Sequence, residues 1–427
     1  LAKDDVVDAK GHTLLPGLHD HHLHLVALAA SLLSVRCGPP DINDKHALIE
    51  VLRQQNTQNA NQWLRGIAYH PCVAGDIDRY WLDSAIPDKP VRIQHRGGRL
   101  WVLNSKALNL LGLPCTEQPP GVEMMGGQPT GRLYECDAWL RQSLHSEFPD
   151  LSNVSELLAS YGITGVTDTS PSNGEDAWDF FKHSHSTKKL RQRVRMMGSH
   201  QIAHCNESTL LRRGEFKVHL LESQLPDLAQ LEHDIAKAHR NGRCVAFHCV
   251  SRIELVYALS ALQSAGIHEG DRIEHASITP PDVLKMIQGM GLRIVTQPHF
   301  IAERGDQYLL DVEPEDQPWL YRCAGFLNRG IPLAGGSDAP FGDPNPWRAM
   351  AAAVGRKTQD GHIINADETL TPEQALTLFL SELSAPGLAS RQIVEGAVAD
   401  LCLLDGNWDD LRNGLADVKV RCTWRDG

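Results

Sequence analysis

The chain has 427 residues, a formal net charge of −12, 42% hydrophobic and 22% charged residues, enough for a sizeable core and for more than one small domain. An acidic surface without a Lys/Arg-rich run repels phosphate backbones, so nucleic acid is not expected as a partner. The longest apolar stretch, Leu25 to Leu33, is far too short to span a bilayer, so no membrane partner is expected either. The ten cysteines run from Cys37 to Cys422 without a C-x-x-C pair. They read as reduced thiols in a cytoplasmic protein, with Cys249 notable only because it follows His248. Homo-oligomerisation stays open.

In chain order, short apolar strands alternate with helical stretches. The strands expected are Leu14–Leu18, Ile163–Asp168, Val194–Gly198, Phe216–Leu220, Cys244–Cys249, Arg272–Ala276, Leu292–Gln297 and Pro332–Asp338. Ala229–Asn241 and Pro281–Met290 are of crossover-helix length. Eight such units predict an α/β fold with a closed (β/α)8 barrel, a doubly wound open sheet being the alternative. Residues 16–34 and 151–385 would form this barrel. Residues 35–150 interrupt the rhythm, with strand-like Trp63–His70 and Val91–His95 and Gly/Pro-rich loops at Gly38–Pro40 and Pro119–Gly131. They read as an insertion covering the active-site side. Asp4–Leu15 and Val394–Leu404 both look like β-structure, so residues 1–15 and 386–427 are expected to build one small β-domain.

The chemistry starts at Gly17-Leu18-His19-Asp20-His21-His22-Leu23-His24. On an extended chain residues two apart share a side, so His22 and His24 converge with Asp20 while His19 and His21 point away. Two converging imidazoles make half of a metal site, although four histidines in six residues also fit a surface cluster. His248, His275 and Asp338 each end an expected strand, where barrels place their active sites, and each is a metal-binding residue type. Singly, either histidine reads as structural; together with His22 and His24 the five form a constellation. Lys217 alternates with Phe216 and Val218 and so can face the barrel interior. Desolvation there lowers a lysine pKa, and a neutral amine can capture carbon dioxide as a metal-bridging carbamate.

These motifs, with Tyr161-Gly162-Ile163-Thr164-Gly165-Val166-Thr167-Asp168, Asp271-Arg272-Ile273-Glu274-His275-Ala276, Gly335-Gly336-Ser337-Asp338-Ala339-Pro340 and Gly396-Ala397-Val398-Ala399-Asp400-Leu401, span nearly the whole chain. The chain resembles the amidohydrolase superfamily, in the branch called amidohydrolase family 3. The resemblance implies a distorted (β/α)8 TIM barrel, a small β-sandwich from both termini and an insertion after the first strand. It implies one or two divalent ions, zinc first: His22, His24 and Asp338 would hold one, His248 and His275 the second, and a carboxylated Lys217 would bridge them. Asp338 would act as general base and proton shuttle for a hydroxide bridging the metals, attacking a C–N bond of an amide, N-acyl or cyclic-amide small molecule. Many relatives continue from the lysine with Asp-Gly-Ser; here Val218-His219-Leu220 follows, so the family's substrate contacts there do not carry over.

Tyr69, His70, His95, Arg96, His219, Gln297 and His299 are the candidate substrate contacts, each read equally well as a loop or packing residue. Arg96 would suit a carboxylate-bearing substrate. Trp319 and Tyr321 read as packing or lid residues, and Arg191 to Arg195 as a solvated basic strand. A one-metal deaminase would use His22, His24, His248 and Asp338, with His275 helping to activate water. Such enzymes place a glutamate where Ser251 stands. An ester or lactone hydrolase uses the same chemistry, and a binding protein that lost catalysis is the remaining alternative.

Overall fold

A computed structural model describes residues 6–39, 41–58, 63–115, 118–144 and 148–427. Residues up to Leu25 and from Asp150 to Gly427 form one compact unit, and Val26–Pro149 form another.

In the first unit, strand β1 (Leu14–Pro16) is followed at once by β2 (Leu18–Leu23). The single strand expected at Leu14–Leu18 is therefore divided. Pro16 has no N–H to extend a ladder. At Gly17 a Cβ would lie 2.3 Å from the Thr164 side chain, so the chain turns there on a residue without one. β1 leaves the barrel and pairs antiparallel with β16 (Leu401–Leu404), which pairs with β17 (Val420–Trp424). In place of the small β-sandwich expected, the two termini build this three-stranded antiparallel sheet. Of the β-structure expected over Asp4–Leu15, Asp4 and Asp5 lie outside the described residues, and the chain from Val6 to Thr13 forms turns and irregular backbone.

The barrel consists of β2, β9 (Ile163–Asp168), β10 (Arg193–Gly198), β11 (Leu211–His219), β12 (Val245–Cys249), β13 (Arg272–His275), β14 (Arg293–Thr296) and β15 (Leu333–Gly335), each parallel to the next in chain order. The two end strands meet through Asp338 N–H donating to the His22 carbonyl (2.7 Å) and His24 N–H donating to the Ala339 carbonyl (2.9 Å). This nearly closed eight-stranded parallel barrel replaces the open-sheet alternative. Every residue of β2, β9, β13, β14 and β15 is buried, as strands covered on both faces require. The crossover helices begin and end on local signals. Asp227 caps Leu228–Arg240, Ser251 and Glu254 form a capping box for Arg252–Ala265, and Gly291 in the left-handed region closes Pro281–Met290.

Two expectations change here. β11 starts five residues earlier than expected, because Arg212, Arg213 and Glu215 make its first half read as polar. The basic strand around Arg193 is not simply solvated: Arg193 pairs with Asp400 (2.8 Å) and Arg195 with buried Glu215 (3.1 Å).

The second unit holds a six-stranded mixed sheet, made of β3 (Val35–Arg36), β4 (Leu64–Tyr69), β5 (Val91–His95), β6 (Leu100–Leu103), β7 (Val122–Met125) and β8 (Gln128–Tyr134), in the order β3-β4-β5-β6-β8-β7. The first three strands run parallel and the remainder antiparallel. Leu48, Leu52, Ile77, Leu82, Val91 and Ile93 form its principal core. Pro40, in the expected Gly38–Pro40 loop, lies outside the described residues.

Candidate metal centre

β2 ends at the mouth of the barrel with His22 buried on the strand and His24 one residue beyond it. β15 ends beside it, and Asp338 follows with φ 51°. That backbone is uncommon for a residue with a Cβ, and such positions cluster at functional sites. Asp338 Oδ1 lies 3.4 Å from His22 Nε2 and 3.3 Å from His24 Nε2. The ligand atoms of these three residues fall within 4.8 Å of one another, which fits a single small cation.

The reverse side of each imidazole is held by another residue. Glu274 Oε2 meets His22 Nδ1 in a short contact, and Ser170 Oγ lies 2.9 Å from His24 Nδ1. Asp168 anchors that second turn, accepting from Leu25 N–H, Ser170 N–H and the Asn173 amide. With Nδ1 occupied, Nε2 of both rings faces Asp338, the arrangement that metal-ligating histidines adopt. Asp20 shares their side but is not part of the cluster. Its Oδ1 accepts from His22 N–H and Ser337 N–H, each at 3.0 Å, and so ties the first barrel strand to the last. His19 and His21 face away as expected, yet they are buried rather than forming a surface cluster, and both contact Ser381.

His248 and His275 come together one strand apart. His275 Nε2 lies 2.9 Å from His248 Nδ1, and the His275 ring is 4.7 Å from that of His22. His275 (φ 65°) and Ala276 (φ 47°) turn the chain sharply at the end of β13. Gln297 Oε1 holds His275 Nδ1 at 2.7 Å. Lys217 is buried, and its Nζ has no hydrogen-bond partner among the described residues. An ammonium there is costly, so the position favours a neutral amine.

The electrostatics agree with this geometry. Burial, then the neighbouring His275 and His219, pulls the His248 pKa well down; burial and His22 pull His275 down to about 3. Both rings are therefore neutral and able to donate lone pairs. Burial alone would lower His22 as well, but Glu274 and Asp338 outweigh it and raise its pKa. The field that would draw a proton onto His22 also draws a cation. Burial would raise Asp338, but hydrogen bonds to His22 and His24 hold its carboxyl well below the usual range. Burial lowers Lys217, with Arg272 adding to the effect.

Behind the histidines, fully buried Arg272 donates to both oxygens of Glu274 and to the His21 carbonyl (2.8 Å). Glu274→Gln would leave this guanidinium without its carboxylate. The expected loss of stability is about 3–5 kcal/mol, read as a lower thermal midpoint. An unchanged midpoint would mean that nearby Glu215 neutralises Arg272 instead. Gly336 packs against the site from the other side, where a Cβ would fall 2.4 Å from His22 Cβ. Gly336→Ala is expected to cost about 1–3 kcal/mol by overpacking and to reduce metal content. Chemical denaturation and metal analysis of the variant check both effects.

The candidate substrate contacts divide between the two units. His219 stands edge-on to His248 with ring centroids 4.3 Å apart. Gln297 is fully buried against His275, and His299 is buried with Nε2 3.0 Å from the Ser337 carbonyl, so both have internal partners. Tyr69, His70, His95 and Arg96 belong to the second unit. There Tyr69 donates to the Gly75 carbonyl, His70 caps the turn at Pro71–Ala74, His95 accepts from Gly97 N–H, and Arg96 N–H donates to the Tyr69 carbonyl. Glu274, Ser170 and Asp168 were not singled out as holders of the histidines. Their one sequence signal is position: Glu274 stands beside His275 at the end of β13, and Asp168 ends β9 two residues before Ser170.

The amidohydrolase family model matches residues 5–427. An N-substituted formamide deformylase of Arthrobacter pascens is 26% identical, with 99% of this chain and 89% of the relative covered. An uncharacterised metal-dependent hydrolase of Pyrococcus horikoshii shares the fold, with TM-score 0.70 and 22% identity over 91% of this chain and 88% of that one. One from Pyrococcus furiosus has TM-score 0.66 and 23% identity over 87% and 82%. With matching motifs from the first barrel strand to the terminal sheet, the chain belongs to the amidohydrolase family.

Proposed function

We propose that this protein hydrolyses the C–N bond of an N-acyl small molecule at a centre for two divalent ions, zinc first. The observation that carries the reading is the pairing of the His22, His24 and Asp338 cluster with His248, His275 and a buried Lys217 whose Nζ has no hydrogen-bond partner among the described residues. His22, His24 and Asp338 would hold one ion and His248 and His275 the other, with Lys217, carboxylated on Nζ, shared between them. Divalent cations so held supply Lewis acidity toward a carbonyl and a lowered pKa for water.

The chain's own groups do the remaining work. Asp338 faces both histidines through Oδ1, which leaves Oδ2 to take a proton from water and return it to the departing nitrogen. Water oxygen joins the carbonyl carbon, the C–N bond breaks, and an acid and an amine leave. Glu274, Ser170 and Gln297 hold the imidazoles in register through this exchange. The name of the Arthrobacter relative directs the first trials to N-substituted formamides.

The deaminase alternative is disfavoured by Ser251, whose hydroxyl accepts from Glu254 N–H as a helix cap. The test is product analysis with purified, metal-loaded protein on N-substituted formamides, N-acyl amino acids, dipeptides, cyclic amides, aminopurines and lactones. Release of amine from an N-acyl compound is expected. Ammonia from aminopurines alone would restore the deaminase, and acid from lactones alone would make the protein an esterase-type enzyme.

A further inference from the structure

Among the described residues, one cation on the barrel unit has no carboxylate in ion-pair contact. Arg304 lies on the helix His299–Asp311 that follows β14 and is partly buried. Its guanidinium carbon sits 3.9 Å from the centroid of the Phe300 ring, and Nη2 donates to the Phe341 carbonyl. Among the described residues no carboxylate stands within the 4.0 Å of an ion pair. Its neighbours differ: Arg322 meets Glu368 at 2.7 Å and Arg348 meets Asp343 at 2.6 Å. Neither Nε nor Nη1 of Arg304 is sealed away as a buried orphan.

Phe341 links this cation to the centre. Its N–H donates to the Asp338 carbonyl at 2.8 Å, and its ring stands edge-on to His24, with centroids 5.5 Å apart. Burial would lower the pKa of Arg304, but the Tyr308 and Tyr321 phenols, with Glu303 and Asp338, raise it. The group is thus a fixed positive charge, fastened to the loop that carries Asp338. A guanidinium fork with free donors matches a carboxylate in geometry and in charge.

We propose that Arg304 is a specificity-determining residue that pairs with a carboxylate of the substrate, so that the compounds cleaved are N-acyl compounds bearing a free acid. This inference rests on the hydrolase reading above, and it moves the acid-recognising role assigned from sequence to Arg96 onto a residue of the barrel unit.

The test is calorimetric binding of 3-phenylpropionate and its neutral counterpart 3-phenylpropanol to the metal-loaded protein, which needs no turnover. The acid is expected to bind at least about tenfold more tightly than the alcohol. Arg304→Met is expected to erase that preference at unchanged metal content. Equal binding of acid and alcohol to the wild type, or undiminished acid binding by Arg304→Met, would overturn the proposal; in the second case the carboxylate is bound elsewhere, for instance by the metals. If Arg304→Met does not fold, Arg304→Lys decides, because it keeps the charge and removes the fork. A preference reduced by about threefold or more supports the proposal, and an unchanged one overturns it. Acid bound through Arg304 by a protein that cleaves no amide would refute the hydrolase reading alone. Equal kcat/KM for neutral and acidic N-acyl compounds, unaffected by Arg304→Met, would refute the role of Arg304 alone.

Discussion

Asp338→Asn is expected to lower kcat/KM by about 10²–10⁴-fold, the range for losing a positioned general base, while the barrel stays folded. The side chain keeps its shape, and its Oδ1 can still face His22 and His24, which stand 3.4 and 3.3 Å away in the native protein. What disappears is the group that accepts a proton and the charge that balances a cation. The wild-type carboxyl is held well below its usual range, so at neutral pH it is ionised and carries that charge. Circular dichroism and thermal melting establish that the variant is folded; turnover then reports the chemistry. A folded Asp338→Asn protein with native kcat/KM would remove Asp338 from the mechanism.

Lys217→Ala has the next largest expected effect. A buried amine with no hydrogen-bond partner among the described residues is a poor choice for stability. Its presence makes sense if Nζ carries a carbamate shared by two ions. The variant is expected to lose most of its bound metal and about 10²-fold or more in activity, the upper range for losing a group that supports a metal site. Short carboxylic acids such as acetate or propionate should restore part of both by entering the space left by the side chain. Loss of the lysine without change in metal content would point to a centre with one ion.

The barrel was legible in the sequence because fully covered strands need continuous apolar runs, and these occur at regular spacing between helix-length segments. Its edges were less so. The His19–Leu23 run reads as polar, yet it makes up most of the first barrel strand, because its histidines and aspartate are all bonded internally. Arg212 and Glu215 hid the start of β11 for a similar reason: ion pairs with Glu207 and with Arg195 compensate their charge.

The site divides in the same way. His22, His24, Lys217, His248, His275 and Asp338 stood out because residue type and strand-end position coincide. Glu274, Ser170 and Gln297 did not, because each is defined by the histidine it holds. Glu274 and Ser170 act across 252 and 146 positions of chain. Arg304 carried no motif at all. Its interest comes from what surrounds it: an aromatic face, a backbone carbonyl and, among the described residues, no carboxylate in ion-pair contact.

The most direct test of the whole account is metal analysis of the purified protein, measured alongside hydrolytic activity before and after chelation. About one to two molar equivalents of a divalent metal are expected, with zinc foremost. Activity should fall with the metal and return on its re-addition, and His22→Ala with His24→Ala should abolish both. A protein freed of metal that still hydrolyses its substrate at the native rate would contradict the account.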